Sequence, residues 1–247
     1  MILLMGGTKD SVIIGNGIKR ELKDIDIIYT STTDYGGELA KSFASKIITK
    51  PLDKEKLKKV ILSNNIKILI DATHPFAINA SKNAMEVCEK LNVKYIRYER
   101  KEEKIKNKNI TYVKDFEEAF EIAKKFKKVF FMAGIKNLKR AVEVLGNKVV
   151  ARVLPISVSE ALNYLPQKNI VAMYGTFSKE LNKYLILDYG CDAIITKESG
   201  ETGGFKEKVL GALEANAYVI VVERPKLNYP NVFNNVDELI NYLKENL

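Results

Sequence analysis

The stretch that decides the fold is Ile2-Leu3-Leu4-Met5-Gly6-Gly7-Thr8-Lys9-Asp10, at the start of a 247-residue chain. Four apolar residues running into two glycines and a hydroxyl read as a buried strand that ends in a tight turn. Beyond it Ile14, Ile18 and Leu22 have helical spacing. A strand, a glycine turn and a helix in that order let the backbone approach a phosphate and present a helix N-terminus to it. The full G-x-G-x-x-G fingerprint is absent, so the turn read alone is equally a plain tight turn.

Working outward, short β-branched runs alternate with amphipathic stretches along the chain, the pattern of parallel strands joined by crossover helices. The spacing predicts strands at 2–5, 26–30, 46–49, 68–71 and 94–98, then at 129–132, 148–153, 170–174, 193–196 and 218–222. Pro75 suits a first helical turn, and Phe76, Ala80, Ala84, Val87 and Leu91 make one apolar stripe behind it. The fold class is therefore α/β.

The opening stretch has an echo. Met5-Gly6-Gly7-Thr8-Lys9-Asp10 recurs as Met132-Ala133-Gly134-Ile135-Lys136-Asn137. Asn92, Ile96, Glu99 and Arg100 recur at the same spacing as Asn216, Ile220, Glu223 and Arg224. Asp115 with Glu118 and Asn235 with Glu238 both have the spacing of a helix N-cap and its third position. The apolar residues behind them also match, Phe116, Ala119, Phe120 and Ala123 against Val236, Leu239, Ile240 and Leu243. Three matches in order argue for an internal duplication: two Rossmann-like parallel-sheet lobes with a cleft between them. The Lys- and Asn-rich segment 101–109 has no apolar period and reads as the linker. The expected lobes are thus 1–109, dinucleotide-binding, and 110–247, substrate-binding.

Composition narrows the function classes. Charged residues make up 29% and apolar ones 46%, with no apolar run of membrane-spanning length. The first residues lack the basic segment of a secretory signal, so a cytoplasmic location and no membrane partner are expected. Cys88 and Cys191 are too far apart for a metal-type pair and too few for a disulfide framework, and no metal site is read. The formal charge is +9, mostly lysine with glutamates interleaved. That spread, without a base-stacking aromatic patch, argues against a nucleic-acid partner and suits a substrate with several carboxylates.

The candidate site residues lie at strand ends, where open α/β sheets bind ligands. Gly6, Gly7 and Thr8 form the expected pyrophosphate turn. Thr30, Ser31, Thr32 and Thr33 stand where NAD-specific folds usually carry an acid, which favours NADPH, although Asp34 follows and keeps NADH possible. Asp71-Ala72-Thr73-His74-Pro75-Phe76-Ala77 contains the only histidine, which at a strand end could touch cofactor or substrate and deliver a proton. Asp71 and Thr73 read equally as helix caps. In the second half Lys197-Glu198-Ser199-Gly200-Glu201-Thr202-Gly203-Gly204-Phe205-Lys206 is a glycine loop with lysines at both ends, suited to closing over an anion. Arg152 before Leu154-Pro155, and Gly175-Thr176-Phe177, occupy comparable edges.

Taken together, the early G-G-T, the D-A-T-H-P-F-A segment, R-x-L-P at 152–155, G-x-F at 175–177 and K-x-S-G-x-x-G-G at 197–204 give a sequence that resembles the precorrin-6A and cobalt-precorrin-6A reductases of cobalamin biosynthesis over nearly its whole length. The resemblance implies hydride transfer from a reduced nicotinamide nucleotide to a double bond of a polycarboxylate tetrapyrrole. It further implies the nucleotide on Gly6 to Thr8 and Thr30 to Thr33, with Thr73 and His74 near the nicotinamide. Arg152, Lys197 and Lys206 would take substrate carboxylates, Ser199, Gly200, Gly203 and Gly204 would form a closing loop, and His74 and Lys197 are the candidate proton donors. The alternatives are another Rossmann-type oxidoreductase, against whose short-chain type counts the absence of a Tyr-x-x-x-Lys pair at a suitable strand end, and a non-catalytic dinucleotide-binding protein.

Overall fold

A computed structural model describes all residues, 1–247. The elements alternate as the sequence predicts: β1 (Ile2–Met5), α1 (Lys9–Glu21), β2 (Ile27–Thr30), α2 (Asp34–Glu38), β3 (Lys46–Ile48), α3 (Lys54–Ser63), β4 (Ile68–Asp71), α4 (Ile78–Lys90) and β5 (Lys94–Tyr98) come first. There follow β6 (Ile110–Val113), α5 (Phe116–Ala123), β7 (Val129–Phe131), α6 (Leu138–Leu145), β8 (Val149–Val153), α7 (Val158–Ala161) and β9 (Ile170–Ala172). The chain ends with α8 (Lys179–Asp188), β10 (Ala193–Lys197), α9 (Phe205–Glu214), β11 (Tyr218–Val222), β12 (Val232–Phe233) and α10 (Val236–Asn246).

Two six-stranded sheets form, in the orders β3-β2-β1-β4-β5-β12 and β9-β8-β7-β10-β11-β6. Every pairing is parallel. Both are the 3-2-1-4-5 order of a doubly wound fold, with the order reversing between β1 and β4 in one sheet and between β7 and β10 in the other. The duplication reaches the backbone. Register places Gly7 and Gly134 at equivalent points, and both have positive φ, 93° and 80°. The echoed Asn92 and Asn216 share the left-handed conformation too, at 51° and 55°.

The lobe boundary differs from the sequence reading. The chain divides into Met1–Lys101 with Pro225–Leu247, and Glu102–Arg224. The segment 101–109 does not simply separate two consecutive lobes. It leads β6 and α5 into the second unit, where β6 pairs with β11, and after β11 the chain returns so that β12 pairs with β5. The sequence pattern does not show β12, which has two residues, or β6, which directly follows the segment without an apolar period and buries one of its four residues, Val113. The match between 115–123 and 235–243 is an echo in which the first copy stays in the continuous unit Glu102–Arg224, and the second returns to complete the unit that Met1–Lys101 begins. The reason is hydrophobic: Leu239, Ile240 and Leu243 of α10 are buried with Ile14 and Ile18 of α1 in the first unit's core. Phe120 of α5 packs against Phe131 of β7, with ring centroids 6.3 Å apart.

Local signals explain the remaining elements. Thr8 and Ser11 form a reciprocal capping box that starts α1, Asp53 caps α3, Asp115 caps α5 and Asn235 caps α10. The expectation for Pro75 changes. It lies ahead of α4, in a turn closed by the Ala77 amide donating to the His74 carbonyl at 2.8 Å, and the helix begins at Ile78. Ala84 and Val87 of the predicted stripe are buried as expected. No helix is long and apolar enough to cross a membrane.

Candidate functional site

In the first unit the glycine turn follows β1, and Ala72-Thr73-His74 follow β4, its neighbour at the point where strand order reverses. The Thr8 hydroxyl donates to the Ala72 carbonyl at 2.8 Å and ties the two segments together. The turn is built on Tyr29 of β2. Its buried ring occupies the place a Gly6 side chain would take, and its hydroxyl accepts the Gly7 amide proton at 2.7 Å and shares a hydrogen bond with Ser11 Oγ at 2.9 Å. The Gly6 amide donates to the Thr30 carbonyl and the Thr8 amide to Ser11 Oγ. The three turn amides therefore hold the shape of the turn. Gly7 is exposed on top of it, with no side-chain carbon to keep a ligand away. In the first turn of α1 the buried Asp10 carboxylate is ion-paired with Arg100, which offsets its negative charge beside a helix N-terminus.

The hydroxyl cluster after β2 is divided. Thr30 and Ser31 are buried, and Ser31 Oγ donates to the Thr33 carbonyl at 2.8 Å. Thr33 Oγ1 accepts the Gly36 amide proton and caps α2. Thr32 is exposed and Thr33 half-buried, so of the four predicted donors these two remain within a ligand's reach.

Asp71 is not a helix cap. It is fully buried beside Arg97, itself only 1% exposed. Asp71 Oδ1 accepts from the Thr73 amide at 3.0 Å, the Thr73 hydroxyl at 2.6 Å and Arg97 Nη1 at 2.9 Å, while Oδ2 accepts from Tyr95 at 2.7 Å. Arg97 also donates through Nε to Glu99 at 2.8 Å, and its guanidinium lies over the Tyr229 ring. Burial works against the Arg97 charge, but Asp71 and Glu99 outweigh it and raise the pKa. The Tyr95 phenol is pushed up by burial and by Asp71, and stays protonated. His74 is half-buried, and its Nδ1 accepts the Phe76 amide proton at 3.2 Å, which leaves the ring proton on Nε2.

In the second unit three segments far apart in sequence meet. Arg152, at the end of β8, donates to Asn182 Oδ1 at 2.8 Å and lies over the Phe177 ring. Asn182 is fully buried and donates to the Phe177 and Ser178 carbonyls. Thr176 packs against Gly204, where a Cβ would approach to 2.9 Å and where φ is +64°. Burial lowers the Arg152 pKa to about 10. Lys197 ends β10 with its ammonium over the Phe116 ring, and burial together with the nearby Lys136 lowers its pKa to about 8.

The glycine loop is braced rather than loose. Buried Glu198 accepts the Gly200 and Glu103 amide protons, both at 3.2 Å, and pairs with Arg224. Ser199 Oγ and Lys208 Nζ both donate to the Gly203 carbonyl, at 3.3 Å and 2.9 Å. Of the predicted loop, Ser199, Gly200 and Gly204 are buried, Gly203 is half-buried, and Lys206 is exposed at the start of α9. Sequence reasoning missed Tyr29, Arg97, Asn182 and Glu198. The one signal that pointed to any of these contacts was the echo of Arg100 in Arg224, each of which neutralises an acid next to a strand end.

The family model for precorrin-6x reductase CbiJ/CobK matches residues 1–244. A cobalt-precorrin-6A reductase of Methanocaldococcus jannaschii is 72% identical over 98% of this chain and 97% of its own length. One of Methanococcus maripaludis is 50% identical, with 98% of each chain covered. Among solved structures, a CobK precorrin-6A reductase superposes with a TM-score of 0.82 at 19% identity, over 99% of this chain and 96% of that one. At that identity the superposition speaks for the fold.

Proposed function

This chain belongs to the precorrin-6x reductase family, and on that premise we propose that it reduces a carbon–carbon double bond of the cobalt-precorrin-6A macrocycle, or of its cobalt-free form, with NADPH, in cobalamin biosynthesis. The reduced nicotinamide nucleotide supplies the hydride when bound. Everything else falls to the chain.

The observation that carries the reading is the pairing of the glycine turn with the Thr73–His74 segment at the strand-order reversal, held by the Thr8–Ala72 hydrogen bond. The exposed Gly7 and the start of α1 would hold the pyrophosphate, Thr32 and Thr33 the adenine ribose and its phosphate, and Thr73 and His74 the nicotinamide. Thr30 and Ser31 are buried, and Ser31 supports Thr33 by donating to its carbonyl. His74, oriented by the Phe76 amide on its Nδ1, is a hydrogen-bonding group for the cofactor, and Lys197 delivers the proton. Arg152, Lys197 and Lys206 bind macrocycle carboxylates, and Ser199, Gly200, Gly203 and Gly204 form the loop that leads into α9, where Lys206 stands. Orientation of donor against acceptor supplies most of the acceleration.

The test is incubation with precorrin-6A, with and without cobalt, while nicotinamide absorbance at the reduced-ring band is followed with NADPH and NADH. Oxidation coupled to macrocycle reduction is expected, faster with NADPH. No oxidation with either ring form overturns the reading.

A further inference from the structure

The Thr73 hydroxyl has its polarity set by two buried charges. Its proton goes to Asp71 Oδ1 at 2.6 Å, and Arg97 Nη1, at 3.2 Å, donates to its oxygen. A carboxylate ion-paired to arginine only accepts and a guanidinium only donates, so the arrangement cannot be reversed. One lone pair of the hydroxyl is left. Asp71 and Arg97 are buried while Thr73 is half-buried, so of the three residues Thr73 is the one open to a ligand, and its hydroxyl, with its proton committed to Asp71, can only accept. A hydroxyl that can only accept is the complement of the NH2 of a primary carboxamide, which only donates. Phosphate oxygens, which only accept, would gain nothing from Thr73.

We propose that Asp71 and Arg97 are positioning residues that fix Thr73 Oγ1 as the acceptor for the carboxamide NH2 of the nicotinamide ring. The proposal rests on the reading that Thr73 and His74 face that ring. Tyr95, which donates to the other Asp71 oxygen, and Glu99, which accepts from Arg97 Nε, keep the pair from rotating. Fixing the carboxamide fixes the ring plane, and with it the face from which the hydride leaves.

The experiment compares, by calorimetry on the whole protein, the binding of the reduced nicotinamide dinucleotide phosphate and of its reduced 3-acetylpyridine analogue, in which a methyl group replaces the NH2. The wild-type protein is expected to prefer the carboxamide form about tenfold, the value of one hydrogen bond. Thr73→Val should erase the preference and Thr73→Ser keep it. Asp71→Ala should erase it although the hydroxyl remains, Asp71→Asn should keep it because Oδ1 still accepts, and Arg97→Met should reduce it several-fold. A generally weakened fold would lower both affinities together and leave the ratio alone. Should Asp71→Ala fail to fold, Arg97→Met and Asp71→Asn decide. Loss of the preference in Thr73→Val with full retention in Arg97→Met overturns the positioning role, and so does a wild-type protein that binds both forms equally. A wild-type protein that binds neither form overturns the placement of the nucleotide as well.

Discussion

The Tyr29 hydroxyl accepts the Gly7 amide proton at 2.7 Å, and the ring of the same tyrosine fills the space in which any side chain at position 6 would stand. The glycine at position 6 thus answers to a neighbour on β2 as much as to a ligand. Tyr29→Phe removes two hydrogen bonds, from the Gly7 amide and with the buried Ser11 Oγ, and should cost about 1–3 kcal/mol of stability. Gly6→Ala forces overpacking and should cost about 1–3 kcal/mol. In a Tyr29→Ala background the Gly6→Ala cost should nearly vanish, a non-additivity read from denaturant unfolding of the four proteins. Strict additivity would show that the ring is not what excludes a side chain at position 6.

Lys197 predicts a pH dependence. Its pKa is lowered to about 8 by burial and by Lys136, so the ammonium is present below that pH and lost above it. As proton donor and carboxylate ligand it acts in the charged form. The kcat/KM for the macrocycle should therefore fall as pH rises through about 8, and this basic limb should be missing in Lys197→Met, whose remaining rate is lower by about 10²-fold or more. A limb that survives in Lys197→Met assigns the titration to another group.

Arg152 is held in its plane from two sides, by Asn182 Oδ1 at 2.8 Å and by the Phe177 ring. A lysine cannot stack or fork in this way. Arg152→Lys should raise KM for the polycarboxylate substrate by about tenfold while kcat changes little, as expected for loss of binding common to ground and transition states. The same variant should leave KM for the nucleotide unchanged. A fall in kcat at constant KM would move Arg152 from binding into the chemistry.

How much of this was legible in the sequence follows from the range of the interactions. Strands and helices could be read because their signals are local: the apolar run 2–5, the periodicity behind Gly7, the cap spacing at Asp115 and Asn235. The duplication could be read because it repeats local signals. What could not be read is which copy of a repeated element packs where. Leu239, Ile240 and Leu243 have the right spacing to cover either core, and nothing within the segment says that they cover Ile14 and Ile18. The site divides in the same way. The turn, the Thr73–His74 segment and Arg152 stood out as unusual residues at strand ends. Tyr29, Arg97 and Asn182 look like ordinary strand and helix residues until their partners, 22, 26 and 30 positions away, are brought alongside.

The return of the chain to its first unit gives the most direct test of the fold. Residues 225–247 supply β12 and α10, and with them three fully or nearly buried aliphatic side chains, Leu239, Ile240 and Leu243. They also supply the Asn231 and Phe233 carbonyls that accept from the Arg97 and Glu99 amides at 2.7 and 2.8 Å. At about 1.5–3 kcal/mol for each buried aliphatic side chain, the three are comparable with the whole net stability of a domain, about 5–15 kcal/mol. A protein ending at Arg224 should therefore lose amide exchange protection throughout β1, β4 and β5 while keeping it in β7, β10 and β11, whose own sixth strand, β6, is still present. Adding a peptide of residues 225–247 should restore protection to the first unit. A boundary between residues 109 and 110 predicts the reverse, with the loss falling on the second sheet. Protection of β7 and β10 lost with that of β1 intact would therefore return the last 23 residues to the half of the chain from which they emerge.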